Sequence, residues 1–321
     1  MMRIAIAGGG GLASVLAQEI TKSANAVIVL SRRTHPELEE AYPGLQVVVV
    51  DYGNIEELRY ALQGVDLLIS TIGATEQLNL IDAARRARIG VFVPSEFEGS
   101  PVSRPADDPL DRGSRAALDL LQRFSQSKHP MQYTIFSCGL FMERFAPGGL
   151  ASYDLGASTN AQGPSDYIVD VENAVAEIVE TDSSGAPARV SLTSIYDVAR
   201  FVAAAIELGP ETWPREFRMR GDQMTVRDIV ATCYAVRRVP FNLNVYRYQD
   251  ALAQIEYCQA NGEWARWHYL QRLLATADGR YHVRQTNMSE ALAAAAVQLE
   301  VRPIRFRQWL ERVWGPAPTA Q

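Results

Sequence analysis

Four consecutive glycines directly after the first apolar run constrain the fold more than any other feature of the chain. Residues 3–7 are a short apolar run without helical spacing, which is typical of a buried parallel strand. Residues 8–11 are the glycines. The apolar residues that follow recur at helical spacing: Leu12, Val15, Leu16 and Ile20. A second apolar run covers residues 26–30, so about thirty residues predict one βαβ unit.

The glycines indicate that a ligand approaches the backbone closely. A phosphate can bind to backbone N–H groups at a helix N-terminus only where no Cβ is in the way. Gly8 and Gly11 have the spacing G-x-x-G, and Ser14 stands where a third small residue allows tight helix–strand packing. Because the cluster lies between a strand and an amphipathic helix, it predicts nucleotide binding. A purely structural turn is the alternative.

The end of the second strand indicates which nucleotide is bound. An acidic residue there would accept hydrogen bonds from the ribose 2′-OH of NAD. This strand ends instead in Ser31, Arg32 and Arg33. Two guanidiniums and a hydroxyl suit a 2′-phosphate, which an acid would repel. We therefore expect NADP(H) rather than NAD(H), with two solvated arginines on a loop as the alternative.

Composition excludes several classes of protein. The net charge of −6 argues against nucleic acid as a general partner. The chain has no stretch of eighteen apolar residues and enters its first strand at once, so we expect neither a transmembrane helix nor a signal peptide. Three widely spaced cysteines fit neither a disulfide framework nor a zinc site. We expect a cytoplasmic protein without a bound metal.

Alternating strands and helices predict an α/β fold with a doubly wound parallel Rossmann sheet. Thr71 and Gly73 follow the fourth strand, at the edge where an open sheet binds its ligand. We predict a cofactor-binding domain over residues 1–150, to which a strand and helix near 188–208 return. Residues 151–321 are predicted to form a smaller, mostly helical substrate lobe. Two further predictions are one continuous strand over 133–137 and a last helix with Pro303 in its first turn.

The segment Pro94-Ser95-Glu96-Phe97 resembles the P-S-E-F segment of the NmrA-like and isoflavone-reductase-like family of atypical short-chain dehydrogenases. The resemblance extends to residues 77–84, to Gly139 with Phe141, and to residues 197–202, and so covers nearly the whole chain. It implies an NADP-binding sheet and a helical lobe that covers the substrate.

The resemblance also implies roles for individual residues. The cofactor contacts are Gly8, Gly10, Gly11, Leu12 and Ala13 at the pyrophosphate, Ser31, Arg32 and Arg33 at the 2′-phosphate, Thr71, Gly73 and Gln77 along the cofactor, and Pro94, Ser95, Glu96 and Phe97 near the nicotinamide. The substrate contacts are Phe97, Cys138, Phe141, Met142 and Phe145. The expected partner is a small molecule, and the expected assembly is a monomer or homodimer.

The chain departs from the family at the catalytic lysine. Family reductases carry a lysine at the start of the helix after the P-S-E-F segment, where it orients the nicotinamide ribose and helps as an acid. Residues 111–118 contain no lysine, and the nearest matches are Ser114 and Arg115. Arg115 can orient a ribose hydroxyl, but a guanidinium stays protonated and does not readily give up a proton. His268 and His282 are the alternative proton donors.

Together these patterns predict an NADPH-dependent reductase of secondary metabolism that transfers hydride from nicotinamide C4 to a small conjugated or aromatic molecule. The missing lysine favours an alternative, a non-catalytic NADP(H)-sensing regulator of the NmrA-like kind. A redox-neutral isomerase or dehydratase that uses the same pocket is the third possibility.

Overall fold

The computed structural model describes residues 1–156, 167–294 and 301–315. Its first half is built on a six-stranded parallel sheet, whose strands are β1 (Arg3–Ala7), β2 (Ala26–Ser31), β3 (Gln46–Val49), β4 (Leu67–Ser70), β5 (Val91–Val93) and β6 (Gln132–Tyr133). The strand order is β3-β2-β1-β4-β5-β6. The order reverses at β1, so the predicted doubly wound Rossmann sheet is confirmed.

Helices cover both faces of this sheet, and the first five are α1 (Gly11–Ile20), α2 (Pro36–Ala41), α3 (Ile55–Ala61), α4 (Ala74–Ala87) and α5 (Ser114–Ser125). In β1, Ile4 and Ile6 point into a core shared with α1, while Ala5 and Ala7 point into a second core shared with α3, α4 and α5. All four residues are fully buried. Burial on both faces explains why β1 is apolar from Ile4 to Ala7.

The later strands form three smaller sheets, and they are β7 (Ile135–Ser137), β8 (Leu140–Phe141), β9 (Val169–Asp170), β10 (Val175–Val179), β11 (Arg189–Thr193), β12 (Glu216–Arg218), β13 (Asp222–Thr225) and β14 (Asn242–Tyr246). Strand β7 pairs with β12, β11 lies between β8 and β13, and β10 lies between β9 and β14. The later helices are α6 (Ile195–Glu207), α7 (Val226–Arg237), α8 (Tyr248–Asn261), α9 (Trp264–Ala277), α10 (Met288–Ala294) and α11 (Phe306–Trp314).

Helix α6 packs on the first half of the chain, whereas β11, the strand of the segment predicted to return near 188–208, pairs with β8 and β13 and not with the large sheet. Val198 and Val202 of α6 are fully buried in the same core as Leu16 of α1. A separate core gathers residues of β10, β11, α7, α9 and α11. The division of function at residue 150 stays a prediction.

The predicted strand over residues 133–137 is wrong, because the chain changes sheets at Thr134. The Thr134 N–H still donates to Phe92 O of β5, but the Thr134 hydroxyl donates to Pro214 O. The next residue, Ile135, donates its N–H to Arg215 O. Beyond Thr134 the chain therefore pairs with β12, and β6 is the last strand of the large sheet.

The prediction that Pro303 lies in the first turn of the last helix is also wrong. Pro303 precedes the helix, and α11 begins at Phe306. The Phe306 N–H donates to Asp222 Oδ2, at 3.1 Å, while the Ile304 N–H donates to Asp197 Oδ2, at 2.9 Å. Two carboxylates that are distant in sequence thus bind the backbone here and set where the helix starts.

One buried carboxyl group links the segment after β8 to the start of α6. Glu143 is fully buried and accepts hydrogen bonds from the Ser194 hydroxyl, at 2.7 Å, and from the Ile195 N–H, at 3.1 Å. Burial raises the pKa of Glu143 to about 7, and the hydrogen bonds from Ser194 and Ile195 offset this only in part. The carboxyl therefore binds a proton more tightly in the folded protein than in the unfolded chain.

We predict that Glu143→Gln makes the protein more stable at about pH 8 and leaves its stability nearly unchanged at about pH 5. The raised pKa of Glu143 adds stability below its unfolded value, and that stability is lost as the pH rises through about 7. The gain at the higher pH is on the order of 3 kcal/mol. Urea unfolding at both pH values measures it, with exposed Glu40→Gln as the control. An equal effect of Glu143→Gln at both pH values would contradict this account.

Candidate functional site

The turn after β1 is closed by a contact that only glycine allows. Gly8 has φ +124°, and a Cβ there would lie 2.1 Å from Thr71 Oγ1. The Thr71 hydroxyl and N–H both donate to Ala7 O, at 2.9 and 2.8 Å, and the Gly8 N–H donates to Leu30 O. The glycine turn is therefore held against the ends of β2 and β4.

Backbone N–H groups at the start of α1 point to the same edge of the sheet. The first N–H groups of a helix have no partner within it. The Gly11 N–H donates to Asp154 O, at 2.9 Å. In the described part of the chain, the Leu12 and Ala13 N–H groups donate to no carbonyl outside the helix. These two donors, with the positive end of the helix dipole, can bind a phosphate.

The chain itself crosses the glycine turn at residues 153 and 154. A Cβ on Gly11 would lie 1.7 Å from Tyr153 O, and a Cβ on Gly10 would lie 2.9 Å from Asp154 O. Gly10 and Gly11 are therefore needed for packing against this segment.

We predict that Gly11→Ala destabilises the protein by about 1–3 kcal/mol, because the new methyl group must displace the Tyr153 carbonyl. Thermal unfolding measures this change. Gly90→Ala is the matched control, because its Cβ would lie 3.5 Å from Asp66 O, an ordinary contact. Equal melting temperatures for the two variants would show that the segment yields freely.

The end of β2 carries the predicted Ser31, Arg32 and Arg33. The Arg32 side chain is 74 % exposed, with Nη1 3.4 Å from Glu76 Oε1, and Arg33 is also exposed. Ser31 is buried, and its hydroxyl lies 3.0 Å from His35 Nε2. Two arginines therefore stand at the same edge as the glycine turn, where a 2′-phosphate would need them.

His35 is a site residue that the sequence analysis missed. It is 5 % exposed, and a Cβ on Gly9 would lie 2.4 Å from its Nε2. Its Nδ1 lies 2.9 Å from Glu37 Oε1. A lone histidine in a Thr-His-Pro loop carries no pattern that indicates burial, so only the fold shows its contact with the glycine turn.

The turn after β4 is open and conformationally unusual. A Cβ on Gly73 would meet nothing within 4 Å, and the next residue, Ala74, has φ +55°. Such a conformation is costly for a residue with a side chain and is often found at functional sites. Gln77 is buried, and its Oε1 accepts the Ser95 N–H, at 2.7 Å. Gln77 thus joins α4 to the segment after β5.

The segment after β5 contributes two glutamates to a buried network of charges. Arg104 Nη2 lies 2.6 Å from Glu96 Oε2. Arg280, from the C-terminal half, donates from Nε to Glu98, at 2.7 Å, and from Nη1 to Asp108, at 2.5 Å. Burial raises the pKa of Glu98, but the charges of Arg280 and Arg104 outweigh it and leave the pKa below its usual value. Glu98 is therefore ionised at neutral pH.

The two candidates that replace the missing lysine lie in different surroundings. The Ser114 hydroxyl donates to Glu96 Oε1 and accepts from Arg104 Nη1. Arg115 is exposed, and its Nη2 donates to Pro105 O, at 2.9 Å. The structure thus brings Ser114, but not Arg115, to the P-S-E-F segment.

The two histidine candidates lie on the C-terminal half. His268 is exposed on α9, with its ring 4.9 Å from that of Trp267. His282 is half-buried beside Gln223, and its burial lowers its pKa. No hydrogen bond joins either ring to Glu96 or Ser114 in the described part of the chain, and their role as proton donors stays a prediction.

The predicted substrate residues are mostly packed. Cys138 and Met142 are fully buried, Phe145 is 1 % exposed, and Phe141 is half-buried. Phe97 is 9 % exposed, and its ring stacks on another aromatic ring. Burial raises the pKa of the Cys138 thiol, so this thiol is not ionised at neutral pH. Among the described residues, no group of three or more His, Cys, Asp or Glu could hold a metal ion.

Comparison with known proteins decides the family. Residues 2–255 match the NmrA-like family. The chain belongs to this family. The match confirms the resemblance drawn from the P-S-E-F segment. None of the described helices is both long and apolar enough to cross a membrane.

Two curated relatives of this NmrA-like chain are similar in sequence. The oxidoreductase swnR of Arthroderma benhamiae is 24% identical over 242 residues, which are 72% of this chain and 72% of the relative. The isoflavone reductase homolog A622 of Nicotiana tabacum is 30% identical over 158 residues, 45% of this chain and 50% of the relative.

Solved structures share the fold over nearly the whole chain. Isoflavone reductase aligns with a TM-score of 0.68 at 18% identity, covering 97% of this chain and 99% of its own. The NADPH-dependent quinone oxidoreductase QOR2 of Escherichia coli, complexed with NADPH, aligns with a TM-score of 0.65 at 16% identity, covering 96% and 99%. At these identities the likeness shows the fold, and the predicted roles of individual NmrA-like residues stay predictions.

Proposed function

We propose that this NmrA-like protein is an NADP(H)-dependent reductase of small conjugated or aromatic metabolites. One observation carries the proposal. Two N–H groups at the start of α1 donate to no carbonyl outside the helix among the described residues, and they lie beside the end of β2, which is followed by two exposed arginines and no acid. The first feature suits a pyrophosphate and the second a 2′-phosphate. Relatives named as oxidoreductases, and a neighbour complexed with NADPH, support it.

The residues at the sheet edge fit the successive parts of such a dinucleotide. Leu12 and Ala13 would bind the pyrophosphate through their N–H groups, and Arg32 and Arg33 would bind the 2′-phosphate. The turn at Gly73 is open and leaves room for the dinucleotide to pass along the edge of the sheet. When bound, NADPH supplies a hydride from C4 of its nicotinamide, and the protein supplies position and exclusion of water.

The substrate class rests on the surroundings of the segment after β5. Phe97 adjoins Glu96 in the chain, and the half-buried Phe141 is a second aromatic residue predicted to contact the substrate, so the proposed ligand is flat and apolar. Isoflavone reductase, which is named for an aromatic compound, shares the fold. We further propose that the protein acts in the cytoplasm as a monomer or homodimer.

We expect purified protein to oxidise NADPH when it is mixed with a substrate from a panel of conjugated aromatic ketones, enones and imines. The fall in NADPH absorbance and the reduced product, identified by mass spectrometry, should appear in equal amounts over many turnovers. Heat-denatured protein is the control. NADPH that binds tightly while nothing on a broad panel is reduced would count against a reductase.

We expect the double variant Arg32→Ala with Arg33→Ala to raise the KM for NADPH by at least about tenfold, because charge-assisted hydrogen bonds to the 2′-phosphate are lost. The KM for NADH should change little, since NADH has no 2′-phosphate. Arg59→Ala, an exposed arginine of α3 paired with Glu56, is the control. An equal rise in both KM values would remove the argument for NADP(H).

A second candidate function is NADP(H) sensing without turnover. The observation that favours it is the absence of lysine from α5. A sensor would bind NADPH and NADP⁺ with different affinities and reduce nothing on the panel. If a substrate is converted without loss of NADPH, the redox-neutral isomerase or dehydratase takes precedence instead.

A further inference from the structure

We propose that Arg104 is the positioning residue for the nicotinamide ribose, an inference that rests on the proposed binding of NADP(H). Arg104 lies in the loop after β5, outside every sequence motif discussed above. Its side chain is only 8 % exposed. Nη1 donates to Ser114 Oγ and Nη2 to Glu96 Oε2, each at 2.6 Å. One guanidinium thus holds a hydroxyl and a carboxylate together.

The position of this unit along the sheet edge matches the nicotinamide end of a dinucleotide. The strand order places β2, with its two arginines, on one side of β1 and places β4 and β5 on the other. A dinucleotide binds across the point where the strand order reverses. Glu96 follows β5, and Gly113, just before α5, would place a Cβ 3.4 Å from Ala74 Cα in the turn after β4. The unit therefore lies opposite the 2′-phosphate end.

The chemistry of the unit suits a sugar hydroxyl better than an anion. The charges of Arg104 and Glu96 neutralise each other, and the Ser114 hydroxyl already donates its hydrogen bond to Glu96. What remains is acceptor capacity on Ser114 Oγ and on the Glu96 carboxylate. A ribose diol has two O–H groups to donate to these acceptors, whereas the pyrophosphate of a dinucleotide has none at neutral pH.

Arg104 also has a buried donor, at Nε, that is unpaired among the described residues. Buried donors are normally satisfied, so an unpaired one points to an acceptor that arrives with a ligand or a water. A ribose hydroxyl can accept this N–H while donating to Glu96 or Ser114.

The nearby charges also disfavour an anion here. Arg280 is paired with both Glu98 and Asp108, and these three groups together carry one negative charge. Lysine could not replace Arg104, because a single ammonium lacks the planar fork that binds two partners in fixed geometry.

The test compares two ligands on the full-length protein by isothermal titration calorimetry. NADPH contains the nicotinamide ribose, and adenosine 2′,5′-bisphosphate carries only the adenosine end. Arg104→Met and Arg104→Lys should each weaken NADPH binding by about tenfold and leave the binding of adenosine 2′,5′-bisphosphate unchanged. Arg123→Met, an exposed arginine in the last turn of the same helix as Ser114, is the control.

Ser114→Ala provides a second variant, because it removes one hydroxyl without leaving a buried charge unpaired. Ser114→Ala should also weaken the binding of NADPH but not that of adenosine 2′,5′-bisphosphate. If Arg104→Met does not fold, the result for Ser114→Ala tests the proposal by itself. Unchanged NADPH binding, or equal weakening of both ligands, would overturn the role of Arg104. Wild-type protein that binds neither ligand would overturn the proposed function itself, which is a different result.

Discussion

The close contact between Gly8 and Thr71 is the constraint on which the edge of the sheet predicted to bind the cofactor depends. A side chain at residue 8 would separate the turn after β1 from the end of β4 by the width of a methyl group. The same turn donates its N–H to β2, so one residue joins the ends of three neighbouring strands. The donors of α1, the arginines after β2 and the open turn at Gly73 therefore share one edge.

Residues far apart in sequence complete the site at its other end. Arg280 comes from the C-terminal half, yet it binds Glu98 and Asp108 in the segment between β5 and α5. A Cβ on Gly99 would lie 1.7 Å from Arg280 O, so the backbones are also in direct contact. The two halves are thus joined by charge and by close packing at the place where Arg104 holds Glu96.

The features that could be predicted from the sequence are those that depend on a local pattern of residues. Strands buried on both faces, the glycine turn and the two arginines after β2 all follow from runs of neighbouring residues. The change of sheets at Thr134 did not, because it depends on backbone acceptors at residues 214 and 215. His35 and Arg104 carry no motif of their own. Their importance comes from what the fold places beside them, and a single sequence does not record that.

The same long-range pairing has a consequence for how the protein is made. The contact of Gly8 with Thr71 lies within the first 71 residues, whereas the partners of Arg280 lie 182 and 172 residues before it. Synthesis proceeds from the N-terminus, and domains tend to fold as their residues emerge. The contact of Gly8 with Thr71 can therefore form early, whereas residues 153 and 154 pack on the glycine turn later. The loop that carries Arg104 acquires its last partners only after residue 280 has left the ribosome. A product that ends before residue 280 would have the glycine turn but would lack the guanidinium that binds Glu98 and Asp108.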